Sequence, residues 1–173
     1  FQHMLCAGQS GRWAAEAAGS LSPEALSDLR ESGSFDVNCL NADTRRKALL
    51  IADMDSTVIR QESLDHLALI AGKGEEITSI TARAMAGELD FEAALDERLA
   101  MLAGEPAHLL DQVIDETTIT AGAAELVGTM RAHGAYCYLV SGGFTFLTKP
   151  IAAQLGFNDH FANEMLLDGD KLA

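Results

Sequence analysis

Two aspartates one residue apart, Asp53 and Asp55, head the segment Asp53-Met54-Asp55-Ser56-Thr57. At that spacing two carboxylates are held close but aimed differently. One can attack a phosphorus atom in line and form an acyl phosphate. The other can protonate the leaving oxygen and later take a proton from the hydrolytic water. Like charges this near repel, so a divalent cation between Asp53 and Asp55 is expected, and Mg²⁺, a hard ion that prefers oxygen ligands, suits them. A bare Asp-x-Asp is more simply read as an Asx turn with solvated carboxylates. Here five apolar residues, Ala48-Leu49-Leu50-Ile51-Ala52, run straight into the pair, and that favours chemistry.

A second element is Ser141-Gly142-Gly143, which comes after the apolar run Tyr136 to Val140. Glycines let backbone N–H groups approach an anion, and a helix expected from Phe144 adds partial positive charge at its N-terminus. Glycine turns end many strands, so Ser-Gly-Gly alone says little. Its weight comes from sharing an expected sheet edge with Asp53.

These residues need a scaffold. Both apolar runs fit short strands buried on both faces, as in a parallel sheet. Ala123 to His133 places Leu126, Val127 and Met130 on one helical face, and Gly134 stops it. Helix, turn and strand make one α/β step, and a crossover connection sets the two strands side by side and parallel. Their C-terminal ends then share the edge where open α/β folds bind ligands. The segment between reads as helices throughout, with stripes at Leu64/Leu67/Ile70, Ile77/Ile80/Ala84, Phe91/Leu95/Leu99/Leu102 and Leu109/Leu110/Val113/Ile114. Breaks fall at Gly72-Lys73-Gly74, Gly87 and Gly104-Glu105-Pro106. The expected architecture is an α/β Rossmann-like parallel-sheet core with a small four-helix-bundle cap inserted after the first core strand. The core covers 47–61 and 118–173, and the cap covers 62–117.

Residues 5–46 form an N-terminal extension without recognisable chemistry. Ser22-Pro23-Glu24 reads as an N-cap with proline at N1, opening a helix to about Arg30. Phe35 to Leu40 is expected as a strand and Asn41 to Arg46 as a linker. Trp13 is expected to pack within the extension. Phe1-Gln2-His3-Met4 resembles the end of a protease-site tag, so residues 1–4 are set aside.

The totals narrow the function. In 173 residues, 26 acidic side chains outnumber 12 basic ones, for a net charge of −14. Such a surface repels phosphate backbones, so no nucleic-acid partner is expected. Any phosphate site must make its positive potential locally. Cys6, Cys39 and Cys137 are scattered and odd in number, which suits a reducing cytoplasm rather than a disulfide framework or a zinc site. No apolar run reaches the roughly 18 residues of a membrane span, and no signal peptide is recognisable, so no membrane association is expected. His66, His108, His133 and His160 lack metal-ligand spacing.

Taken together, ADMDST at 52–57, Glu62 nine residues after Asp53, ARAMAGELDFEAALDERLAML at 82–102 and LVSGGF at 139–144 resemble the phosphoserine phosphatases of the haloacid dehalogenase superfamily. The similarity runs from about Lys47 to the end. It implies Mg²⁺-dependent hydrolysis of O-phospho-L-serine, the last step of serine biosynthesis, through an aspartyl phosphate. It implies Asp53 as nucleophile and metal ligand, and Asp55 as general acid/base with its carbonyl also on the metal. Ser141, Gly142 and Gly143 would bind phosphate. Glu62 would meet the substrate ammonium and Arg98 its carboxylate, with Met85 and Phe91 closing over it. Those roles suit phosphoserine, which carries an ammonium, a carboxylate and a phosphate, and bidentate arginine is the natural carboxylate clamp. From the residues alone, Glu62 is equally a solvated first-turn acid, and Arg98 equally a partner of Glu97 or Asp96.

The resemblance also implies a later lysine and a GDGxND-type loop, which do not occur up to Ala173. Asp170 and Lys171 look like part of a hairpin turn rather than substitutes. With these residues alone, a weakened metal site and severely impaired phosphoryl transfer are expected. The strand at 135–140 is expected to keep an unpaired edge, which invites homodimerisation. Competing readings are a phosphatase or phosphotransferase for another small metabolite, and a non-catalytic phosphoserine-binding module.

Overall fold

The computed structural model describes residues 3–7, 13–16, 19–33 and 36–173, with 3–7, 13–15 and Met85 described by their backbone alone. The chain divides into two compact units, Phe1–Arg46 and Lys47–Ala173.

In the first unit, strands β1 (His3–Ala7) and β2 (Trp13–Glu16) pair antiparallel. The sequence pattern does not announce this hairpin, and it takes in His3 and Met4 of the segment set aside as a tag. The Trp13 packing expectation lies outside the described residues. Helix α1 (Pro23–Ser32) begins as its sequence dictates: the Ser22 hydroxyl accepts the Ala25 N–H at 3.2 Å, and proline occupies the first turn. The strand expected at 35–40 is not formed over 36–40, where no neighbouring strand supplies a ladder, and Phe35 lies outside the described residues. The expected linker contains a short 3₁₀ turn, Ala42–Thr44, capped by the Asn41 side chain.

The second unit is built on a three-stranded parallel sheet in the order β3-β4-β5. Strand β3 (Leu49–Ala52) runs beside β4 (Tyr136–Phe144) with Leu49 opposite Tyr136 and Ala52 opposite Leu139. Between them lie helices α2 (Ser63–Ile70), α3 (Gly74–Met85), α4 (Phe91–Leu102) and α5 (Leu109–Glu116), then α6 (Ala123–Ala132). After β4 come α7 (Thr145–Leu155), β5 (Asp159–Asn163) and the hairpin of β6 (Leu167–Asp168) and β7 (Lys171–Leu172). Gly169 turns that hairpin with φ +63°, so Asp170 and Lys171 sit where the sequence places them.

Three expectations need correction. Strand β4 has no free edge, because β5 pairs with it in parallel, and that removes the ground for a dimer through this strand. The segment at 159–163 gives no strand signal because Asp159, His160 and Asn163 interrupt its apolar pattern. Second, β3 is not buried on both faces. Leu49 is 51% and Ile51 63% exposed, with Tyr136, Val140 and Phe161 also exposed on that side, while Cys137 and Leu139 are buried in one core with Val127, Leu147 and Ile151. Apolar sequence reports what a strand tolerates on each face, not whether a layer covers it. Third, Leu126 is 52% exposed whereas its neighbour Val127 is buried, because adjacent helical residues point about 100° apart.

The neck of the helical insertion is closed by hydrogen bonds. Ile59 and Ile119 form an antiparallel bridge, and Arg60 N–H donates to the Thr118 carbonyl at 2.9 Å. The Gln61 amide donates to the Glu116 carbonyl at 3.0 Å and accepts from Thr118 N–H at 3.0 Å. His66 Nε2 pairs with the Glu116 carboxylate at 2.9 Å. Among the described residues no helix is long and apolar enough to cross a membrane.

Cys137 lies mid-strand with no exposed surface. Burial pushes its thiol pKa up, opposed by the Arg131 charge, so the reactive thiolate is scarce at neutral pH. Iodoacetamide on the native chain should label exposed Cys39 at least about a hundredfold faster than Cys137, measured by peptide mass mapping. Equal rates would show that β4 is not a buried central strand.

Candidate active site

The turn after β3 carries the first carboxylates. Asp53 ends the strand in an extended conformation, and its Oδ1 accepts the Met54 N–H at 2.8 Å. Met54 is fully buried and anchors the turn, which Ile59 N–H closes onto the Met54 carbonyl at 3.0 Å. Ser56 turns the chain through the left-handed region at φ +50°, unusual for a residue with a side chain. Its hydroxyl donates to the Glu62 carboxylate at 2.6 Å.

Asp55 is held from both sides. The Ser63 N–H, at the first turn of α2, donates to Oδ1 at 2.7 Å. The Ser141 hydroxyl donates to Oδ2 at 3.2 Å and itself accepts the Gly143 N–H at 2.9 Å. The parallel register therefore does deliver the two motifs to one point. Ser-Gly-Gly lies within the end of β4, and the next helix starts at Thr145 rather than Phe144. Gly143 is closely surrounded, whereas Gly142 has more room. A Cβ on Gly143 would stand 3.0 Å from Asp55 Oδ2 and 3.1 Å from Ser141 Oγ, and one on Gly142 would stand 3.4 Å from Phe91 Cζ.

A cavity of about 210 Å³ opens over this edge. Asp53, Asp55, Ser141, Gly142 and Gly143 line it from the sheet, and Glu62, Phe91 and Arg98 from the helices. Phe91 is 70% exposed, placed over the glycines rather than in the core. Arg98 Nη2 donates to Thr81 Oγ1 at 2.9 Å, while its buried Nε has no partner. Glu97 is engaged by Arg83 instead, so the pairing of Arg98 with Glu97 left open by the sequence is not formed. Met85 ends α3, and its side chain lies outside the described residues.

Sequence reasoning missed Ser63, Asp65 and Leu95, which also line the cavity, and Asn163. The Asn163 amide donates to the Gly142 carbonyl at 2.8 Å and so fixes the cradle backbone. Only an assignment of β5 could have revealed it. Asp170 and Lys171 do not line the cavity.

The oxygen donors suit a hard divalent cation in kind and supply part of its shell. Asp53 has a second carboxylate oxygen, and the Asp55 carbonyl is near it in sequence, whereas Mg²⁺ takes about six oxygens. Among the described residues no group of three or more His, Cys, Asp or Glu forms a metal cage.

An α/β chain with an acidic turn and a Ser-Gly-Gly cradle at one sheet edge, under a helical insertion, defines a broad class of hydrolase-like proteins. Comparison narrows the class: the family profile described as haloacid dehalogenase-like hydrolase matches residues 50–173. The chain belongs to that family. It is 39% identical over 128 residues to a phosphoserine phosphatase of Archaeoglobus fulgidus, covering 74% of this chain and 37% of that protein. It is 43% identical over 126 residues to a phosphoserine phosphatase of Lactococcus lactis, covering 73% and 58%. A solved phospho-aspartyl intermediate analogue of phosphoserine phosphatase superposes with a TM-score of 0.67 at 35% identity, covering 74% of this chain and 61% of that one. The chain spans about half the length of the curated relatives it matches.

Gly143→Ala forces a methyl group against Asp55 and Ser141. It should weaken inorganic phosphate binding at least about tenfold in calorimetry while the melting temperature stays within a few degrees. Unchanged phosphate binding would show that Gly143 is not part of an anion cradle.

Proposed function

We propose that the protein hydrolyses O-phospho-L-serine to L-serine and phosphate, the last step of serine biosynthesis. One observation carries this reading: the acidic turn and the Ser-Gly-Gly cradle share a cavity with Glu62 and with Arg98, which has no acid partner among the described residues. Phosphate, ammonium and carboxylate of one small molecule match those three features. The names of the relatives support the same substrate.

In this mechanism an Asp53 carboxylate oxygen attacks phosphorus as the bond from phosphorus to the serine oxygen breaks. Asp55, protonated, gives its proton to that leaving oxygen. Asp55 then takes a proton from a water that attacks phosphorus, and the Asp53–phosphate bond breaks. The hydrogen bond from Ser63 holds Asp55 in the orientation these transfers need. The Gly142 N–H takes a phosphate oxygen, and when phosphate enters, the Ser141 hydroxyl and the Gly143 N–H turn to its oxygens from Asp55 and Ser141, while the Ser63 N–H keeps Asp55 in place. Glu62, preset by Ser56, takes the ammonium, and Arg98 offers its remaining Nη donors to the carboxylate. Phe91 and Met85 close over the substrate. Mg²⁺ would be held by the Asp53 carboxylate and the Asp55 carbonyl and would offset the charge on nucleophile and phosphate. In this reading residues 62–117 are the cap and 47–61 with 118–173 the core. The scattered cysteines favour a cytoplasmic location.

With isotopically labelled phosphoserine, the intact protein should give an acid-stable acyl phosphate that mass spectrometry maps to Asp53. Asp53→Asn should abolish it and cost at least about a thousandfold in rate. Full activity in Asp53→Asn would exclude the mechanism. Arg98→Ala should raise KM for phosphoserine more than it lowers kcat, and an unchanged KM would point to a substrate without a carboxylate.

A further inference from the structure

Helices α3 and α4 are joined by two side-chain links, and only one belongs to the site. Arg98 on α4 reaches Thr81 on α3. Next to it, Arg83 on α3 grips both oxygens of Glu97 on α4, Nη1 to Oε2 at 2.6 Å and Nη2 to Oε1 at 3.2 Å. Glu97 holds the Arg83 guanidinium above its ordinary pKa, first by hydrogen bonding and then by charge. The pair is roughly half exposed, at 43% and 40%, and such pairs add little to stability. Its consequence lies elsewhere. Glu97 is the chain neighbour of Arg98, and both side chains reach across to α3, where their partners Arg83 and Thr81 lie two residues apart.

Arg98 is the cavity's lone lining cation among the described residues, in company with Asp53, Asp55, Glu62 and Asp65. Its value in binding a carboxylate depends on having no internal partner. An acid tethered one residue away competes at a high effective concentration against a dilute ligand. A two-point grip from a second arginine removes that competitor, because the guanidinium fork matches a carboxylate oxygen for oxygen.

We propose that Arg83 is a specificity-determining positioning residue: by sequestering Glu97 it keeps the Arg98 guanidinium free for the carboxylate of an amino-acid phosphate. The inference rests on the substrate reading above and adds a residue outside the cavity to it. Glu88, 3.9 Å from Arg83 Nε, steadies the same guanidinium from α3's own end. Losing Arg83 frees Glu97 to turn toward Arg98, so binding of carboxylate ligands weakens while binding of ligands without that group does not.

The test is calorimetric binding, with no divalent cation added so that neither ligand is turned over, of O-phospho-L-serine and of O-phosphoethanolamine, which keeps phosphate and ammonium but lacks the carboxylate. Arg83→Met should weaken phosphoserine about fivefold and leave phosphoethanolamine unchanged. Arg83→Lys, which keeps the charge without the fork, should fall between. Glu97→Gln alone should bind as the native protein, and adding it to Arg83→Met should restore phosphoserine affinity. A purely structural link between the helices would not be restored by removing its second half. Equal loss of both ligands, no loss, or no rescue in the double variant overturns the proposal and leaves the substrate reading standing. A native protein that does not prefer phosphoserine to phosphoethanolamine overturns both.

Discussion

The parallel ladder between β3 and β4 sets Ala52 beside Leu139, and the residues just beyond these two place the carboxylates and the serine of the sheet edge. One turn beyond Ala52 presents Asp53 and Asp55, and two residues beyond Leu139 comes Ser141. A one-residue slip would exchange the faces of β4 and turn Cys137 and Leu139 outward, so burial of those side chains enforces the register. The contact between Ser141 and Asp55 is the chemical product of a packing decision made one or two residues earlier.

The same edge concentrates negative charge where the proposed function needs an anion to bind. Asp53, Asp55, Glu62 and Asp65 all face one cavity in a chain of net charge −14. N–H groups and hydroxyls hold those carboxylates and the glycine backbone in fixed positions. Ser63 N–H and Ser141 fix Asp55, Asn163 fixes the Gly142 carbonyl, and Ser56 fixes Glu62. In the proposed reaction such preorganised dipoles would act without reorganising. The left-handed turn at Ser56 fits this pattern, since local backbone strain gathers at sites that the surrounding structure over-determines.

Much of this is legible in the sequence, for reasons that can be named. Apolar runs ending in Asp53 and in Ser141 read as strands because both end abruptly in residues with no place in a core. The insertion reads as helices because Leu64, Leu67, Ile77, Ile80, Leu110 and Val113 fall at helical spacing and are buried. The features that stay hidden depend on partners rather than on local pattern. Strand β5 is an edge strand carrying Asp159, His160 and Asn163, so it has no continuous apolar signature. The exposure of Leu49 and Ile51 reflects which layers surround the sheet. The choice of Glu97 for Arg83 over Arg98 depends on how two helices face each other, which no spacing within one helix reveals.

The central claim is that the two sheet-edge motifs and the helical insertion form one phosphate-accepting pocket. A crystal structure with beryllofluoride and Mg²⁺ tests it most directly. The account predicts the fluoride group on an Asp53 carboxylate oxygen, within hydrogen-bond distance of Ser141 and the Gly142 N–H, with Arg98 on the same cavity and Glu97 still on Arg83. Beryllofluoride bound at any other carboxylate, or Ser141 turned away from it, would contradict the account.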